Sequence, residues 1–272
     1  MSSRQPTSGG QSRRLPDLFV PALLGALVLV YFAVPFLAFF ARAGLSEVIS
    51  GLTTTGARRA IRNSLLTAPV STAIATLLGV PLAYVLARSS FRGKRLVEAL
   101  VVLPLVVPPL VGGTMILTAV GRFTPIGGAA ASVGLPLTDS LLGVILAQTF
   151  VAAPFVIVTA RAGFGAVDER LEQASRSLGY GPLETFWHVS LPIARPAVLS
   201  GIVLTFVRAL GEFGATLMVA YNPRTIPTRI WVEFVGGGID AVVPLALALL
   251  VVTLVVLATL VRVGQTPGVD VG

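Results

Sequence analysis

The sequence contains no cysteine, a single histidine (His188) and a single lysine (Lys94). Without cysteine there is no disulfide framework, no thiolate metal site and no cysteine nucleophile. One histidine excludes a metal centre built from several imidazoles, so no metal site is expected. Charge is scarce as well. Only 12% of the 272 residues are Asp, Glu, Lys or Arg, against about 25% in a soluble domain. That leaves too little polar surface to keep a molecule of this size in water. A P-loop is missing too: the motif needs Gly, four residues, then Gly-Lys, and ahead of Gly93-Lys94 the first glycine position is Arg88. The chain does not power itself by that route. Asp168-Glu169 reads as a solvated helix start rather than a hydrolytic pair.

What abounds is apolar. Hydrophobic residues make up 54% of the chain and the mean hydropathy is +0.88. A net charge of +8 would suggest nucleic acid for a soluble domain. Here the arginines stand between apolar runs, where a positive-inside bias explains them, and no nucleic-acid partner is expected. The runs cover residues 18–40, 64–87, 97–120, 140–160, 197–220 and 241–261, each long enough for a bilayer core of about 30 Å at about 1.5 Å per residue. The expected fold class is all-α: a polytopic membrane helix bundle of about six transmembrane helices spanning residues 18–272, preceded by a polar tail, 1–17. Ala41-Arg42-Ala43 has the look of a signal-peptidase site, but the run before it is too long for a signal peptide and further spans follow.

Six spans put both termini on one side of the membrane. With the termini inside, Arg88, Arg92, Lys94 and Arg95 all fall on the inner side, which carries the larger share of Lys and Arg. The first outer segment, with Arg42, Arg58, Arg59 and Arg62, runs against this bias unless part of it forms an interfacial amphipathic helix. The third run contains LPLVVPPLVGG, and Pro104, Pro108 and Pro109 each remove a backbone donor and kink or break a helix. In lipid the freed carbonyls need partners, so this run should face protein or a water-filled cavity; a plain packing kink is the alternative. Residues 121–139 read as a Gly/Pro-rich loop.

Residues 161–196 are too polar to span, yet Val167, Leu171, Ala174 and Leu178 keep helical spacing. The stretch LEQASRSLGYGPLETFWHVSLPIARPAVLSG, Leu171–Gly201, reads as helix, turn, helix. Gly179 and Gly181-Pro182 make the turn; Pro192 and Pro196 end the second short helix before the chain re-enters the membrane. An ordered loop this long in a small membrane protein is usually functional.

This stretch resembles the EAA loop of ABC importer permeases: Glu-Ala-Ala, three residues, Gly, nine residues, Ile, one residue, Leu-Pro. Gln173-Ala174-Ser175 occupies the EAA positions, Gly179 the glycine, Val189 the isoleucine and Leu191-Pro192 the ending, with Glu172 beside the glutamate position. RALGEFGATLMVAYN, Arg208–Asn222, resembles the fifth span of molybdate permeases, whose sulfate relatives carry close variants, and LPLVVPPLVGG resembles their proline-rich third span. The likeness covers about residues 61–261. It implies a type I importer permease fold, a homodimer of permease subunits, a cytoplasmic ABC ATPase dimer that binds the ATP, and an extracytoplasmic oxyanion-binding protein. It also implies a bacterial cytoplasmic membrane with both termini cytoplasmic. The chain itself would hold no cofactor and catalyse nothing. Molybdate is the first substrate expected, with sulfate, thiosulfate or tungstate as alternatives. The loop would insert a short helix into a cleft on the ATPase, with Phe186 and Trp187 as anchors or, alternatively, as interfacial belt aromatics.

In the fifth run, Arg208 and Glu212 lie four apart and share a helical face. Charges inside a membrane normally face the bundle interior and mark a pathway. The expectation is that Arg208, Glu212 and Thr216 line the translocation route or its gate; a structural ion pair locking two helices is the alternative. Gly211 and Ala215 form a small-xxx-small pair suited to close helix contact. Arg224 and Arg229 are candidate outer-loop donors for an anion. A secondary transporter or channel is the rival class, but no internal repeat or relay of ionisable groups across several spans is evident.

Overall fold

The computed structural model describes residues 15–264. Of the expected tail, residues 1–14 lie outside that range, as do 265–272 at the other end. The regular elements among the described residues are all helical, with no strand. In chain order the elements are α1 (Leu15–Ala41), α2 (Leu45–Thr53), α3 (Thr55–Arg88), α4 (Lys94–Val106), α5 (Pro109–Val120), α6 (Pro125–Ser132), α7 (Leu141–Gly165), α8 (Glu169–Ser177), α9 (Pro182–Thr185), a π-helical turn (Phe186–Ser190), α10 (Leu191–Leu210), α11 (Gly214–Val219) and α12 (Ile226–Gly264).

Among the described residues, five helices are long and apolar enough to cross a membrane: Phe19–Ala41, Thr55–Arg88, Leu141–Gly165, Pro182–Leu210 and Ile226–Val256. A sixth crossing requires counting Pro109–Val120 and Pro125–Ser132 as one span bent by 67°. The third apolar run, 97–120, is thus not a single helix. Pro108 and Pro109 split it after Val106, and the loop expected at 121–139 contains α6. The break has a direct cause, since two adjacent prolines supply no N–H to bond back to the preceding turn. The last helix begins earlier than its apolar run and is interrupted at Gly238, whose φ of +72° is not helical. Arg58, Arg59 and Arg62 lie exposed in the opening turns of α3, after the short helix α2.

The chain divides into two compact units, residues 1–48 and 49–272. The described part of the first is α1 and the opening of α2. In the second, α3, α7 and α10 pack together, and their contact inverts the pattern of a soluble core. Most buried positions along α3 are small, among them Ala57, Ala60, Ser64, Ala68, Ser71, Ala75, Gly79 and Ala83, with Leu86 near its end the large exception, while Leu65, Leu66, Leu77 and Leu78 are exposed. Lipid solvates leucine as well as protein does, so helices in a bilayer gain most from close backbone approach through small residues. Several buried polar groups find partners within the bundle: Ser71 donates to Gln148 Oε1 at 2.9 Å, and Ile226 N–H donates to Ser64 Oγ at 2.8 Å.

Candidate functional site

The polar stretch after α7 forms a hairpin. Asp168 opens α8 by accepting the Arg170 N–H at 2.9 Å. The helix closes through Tyr180 N–H to Ser175 O and Gly179 N–H to Arg176 O, a pairing that needs a left-handed residue just past the end. Gly179 supplies it with φ of +95°. On the return limb, the Glu184 carboxylate accepts the Gly181 N–H at 2.8 Å and so starts α9.

The return limb does not end at Pro192 or Pro196, contrary to the sequence reading. It passes through the π turn directly into α10, with Leu191 N–H bonded to Phe186 O. A proline ring at 192 would press on the carbonyl of His188 in a regular α-helix, and the wider π turn relieves that crowding. Together α9, the π turn and α10 form one helix long enough to span. The non-helical part of the expected loop, 161–196, is therefore short, because α7 also runs on to Gly165.

The hairpin has an inner and an outer face. Glu172 is only 4% exposed and points inward. Its Oε1 accepts Arg88 Nε at 2.9 Å and the Ser190 hydroxyl at 2.7 Å. Arg88, the last residue of α3, also donates to the Val167 carbonyl at 2.7 Å. Ser175 and Thr185 join the two limbs, their hydroxyl oxygens 3.1 Å apart. Phe186 is buried in an aromatic cluster, with ring centroids 4.9 Å from Tyr84 and 5.8 Å from Phe164. Val189 and Leu191 are half-buried, and Leu191 packs on the same core. On the outer face Gln173, Ala174, Leu178, Gly179, Leu183, Trp187 and Pro192 are exposed. Of the two aromatics expected to act as anchors, Phe186 is held within the chain and Trp187 is available to a partner.

The second cluster lies at the far end of α10, about 26 Å along the helix from Leu191 at 1.5 Å per residue. Arg208 Nη1 and Glu212 Oε2 are 2.6 Å apart. The pair forms as expected, but not along one helix. α10 stops at Leu210 and α11 begins at Gly214, and Glu212 sits in the break with its Oε1 accepting the Ala215 N–H at 2.7 Å. Glu212 thereby caps the second helix as well as neutralising Arg208. Gly211 ends a helix rather than forming a contact ridge with Ala215, so the expected small-xxx-small pair does not exist. The close approach runs instead between α5 and α11: a Cβ added at Gly113 would lie 2.9 Å from Ala215 Cα, and one at Gly214 would lie 2.9 Å from Pro109 Cβ. The break at 211–213 therefore stands beside the break at Pro108. Between them is a cleft of about 320 Å³, lined by Pro108, Leu110, Arg208, Glu212 and Phe213 among others. Thr216 is fully buried, and its hydroxyl has no hydrogen-bond partner.

The expected outer-loop donors are differently placed. Arg224 lies over the Tyr221 ring at 5.1 Å. Arg229 belongs to α12 and pairs with Glu233 at 2.5 Å. Sequence reasoning missed Arg88, Ser190, Tyr84 and Phe164. Arg88 gave the one usable signal, a cation ending an apolar run, and that signal reads equally well as positive-inside flanking.

A bundle of membrane-length helices with one polar hairpin and one paired charge beside broken helices is the architecture of a multi-pass transport protein. Residues 75–266 match the family of binding-protein-dependent transport system inner membrane components. A probable molybdenum ABC transporter permease of Haloferax volcanii is 42% identical over 98% of this chain and 99% of its own length. The molybdate/tungstate transport system permease of Pyrococcus abyssi is 39% identical over 87% of this chain and 91% of its own. Among solved structures, a bacterial ABC transporter involved in import of the acidic polysaccharide alginate superposes with a TM-score of 0.72 at 16% identity, covering 92% of this chain and 97% of that one. The chain belongs to the family of binding-protein-dependent transport system inner membrane components, the permeases of ABC importers.

Proposed function

We propose that the chain carries an oxyanion, molybdate first, across the cytoplasmic membrane as one of two identical permease subunits. ATP is hydrolysed by a separate cytoplasmic ATPase dimer, and the oxyanion is delivered by an extracytoplasmic binding protein. The observation that carries the substrate reading is the near full-length similarity to relatives named for molybdenum and for molybdate/tungstate. A sulfate reading draws on a weaker likeness, to a probable sulfate permease of Chlorokybus atmophyticus that matches 58% of this chain.

In this reading the hairpin is the handle that the ATPase grips. Gln173, Ala174, Leu178, Leu183 and Trp187 form the contact face, and Gly179 sets the turn. Glu172, Ser175, Phe186, Val189 and Leu191 hold that face in place, and Pro192 stands exposed at its edge. The cleft bearing Arg208 and Glu212, with Thr216 behind it, lies on the route. A guanidinium offers a tetrahedral oxyanion two or more N–H donors. Glu212 offsets that charge when the route is empty, so the anion is held weakly enough to leave. Both termini and the hairpin lie on the cytoplasmic side.

The test is uptake by proteoliposomes containing the permease with its ATPase and binding protein. ATP-dependent accumulation of radiolabelled molybdate, displaced by tungstate but not by excess sulfate, is the expected result. Tight sulfate binding by the delivering protein with no molybdate binding refutes the substrate choice. Labelling of residues 171–196 from the outer face refutes the whole assignment.

A further inference from the structure

The chain itself attaches the hairpin to only two membrane helices. It enters from α7 through Ala166–Asp168 and leaves through the π turn into α10. Helix α3 packs against both, yet no short stretch of chain joins it to the hairpin, and 84 residues separate Arg88 from Glu172. Apart from the apolar packing of Phe186 on Tyr84, which has no directional bond, a push on the hairpin would not be carried to α3 unless something ties them together.

The Arg88 guanidinium is that tie. Its Nε bonds Glu172 of α8 at 2.9 Å and its Nη2 bonds the Val167 carbonyl at the end of α7 at 2.7 Å. Its Nη1 stands 3.7 Å from Glu169 at the first turn of α8. Glu172 extends the connection to the start of α10 by accepting the Ser190 hydroxyl at 2.7 Å. The Arg88 and Glu172 side chains are only 10% and 6% exposed, so little water competes for these bonds. Arginine's planar fork fixes several partners at once, which lysine does not reproduce. Nearby, Arg161 of α7 pairs with Glu98 of α4 at 2.8 Å, but that pair is 40% and 25% exposed and does not touch the hairpin.

We propose that Arg88 is the joint that couples the hairpin to α3, so that α3, α7 and α10 move as one body when the hairpin is displaced. This rests on reading the hairpin as the ATPase handle, and it adds a positioning residue outside the loop itself.

The test uses the whole importer in proteoliposomes, with ATP hydrolysis and uptake measured on the same vesicles. In Arg88→Gln, hydrolysis stays above about half of wild type while uptake falls about tenfold or more. Glu172→Gln behaves alike, and Arg88→Lys recovers part of the uptake. If hydrolysis and uptake fall together as the ATPase is lost from the complex, Arg88 only maintains the docking surface and the proposal is wrong. Unchanged uptake in Arg88→Gln also overturns it.

A second measurement does not depend on transport. Because the chain has no cysteine, nitroxides placed at Ser89→Cys and Ser177→Cys, both exposed positions, before assembly with the partner subunits, report the separation of α3 and hairpin with no other labelled site in this chain. That separation should stay constant between nucleotide-free and ATP-bound complexes, and broaden in Arg88→Gln. A wild-type distance that changes with nucleotide refutes the joint. Absence of any ATP-linked uptake in wild type counts against the importer reading instead, and leaves the distance result standing.

Discussion

The Arg208–Glu212 pair should break asymmetrically. The two side chains are 2.6 Å apart, but Glu212 is 1% exposed and Arg208 is 27% exposed. Arg208→Gln leaves a buried carboxylate whose remaining partner is the Ala215 N–H. Breaking a buried pair in this way costs about 3–5 kcal/mol. Glu212→Gln keeps an oxygen for the Ala215 N–H, and the freed guanidinium can turn into the adjoining cleft. That loss should be about 1–3 kcal/mol, the cost of an imperfectly satisfied polar group. The double variant should lose less than the sum of the two, because the second change removes a group already stranded by the first. Thermal unfolding of detergent-solubilised protein, followed by tryptophan fluorescence, measures all three. Trp231, one of the chain's two tryptophans, reports on this region, as its ring lies 5.8 Å from that of Phe213 in the helix break. An equal or larger loss in Glu212→Gln, or strict additivity, refutes the claim that burial of the carboxylate governs the pair.

Three other perturbations probe separate parts of the argument. Gly113→Val places a side chain against Met218 and the Ala215 backbone. It should lower stability by about 1–3 kcal/mol through overpacking, read as a lower unfolding temperature. Phe186→Ala removes the ring shared with Tyr84 and Phe164, and should cost about 3–5 kcal/mol and speed proteolysis within the hairpin. Trp187→Ala, with a side chain 57% exposed, should change stability by less than about 0.5 kcal/mol while weakening co-purification of the ATPase subunit. Unchanged co-purification would remove Trp187 from the contact face.

What the sequence alone determined follows from quantities that add along the chain. Low charge and six apolar runs specify a membrane bundle because transfer into lipid is a sum over neighbouring residues. Adjacent Pro108 and Pro109 specify a break because the missing N–H is a property of the residue itself. Gly179 and Gly181-Pro182 marked the hairpin's turn for the same local reason. Tertiary structure decided the rest. Glu172 and Gln173 are neighbours, yet one is held inside and the other faces out, and only the packing of α8 against α9 and the π turn, with Arg88 reaching in from α3, makes that choice. Arg88 became the hairpin's anchor through a contact across 84 residues. The end of α10 at Leu210 gave no sequence signal, because Gly211 and Glu212 sit in an apolar run that reads as continuous helix. That break is stabilised by an ion pair, a cap on Ala215 and the close approach of α5, and such pairwise contacts exist only once the helices have met.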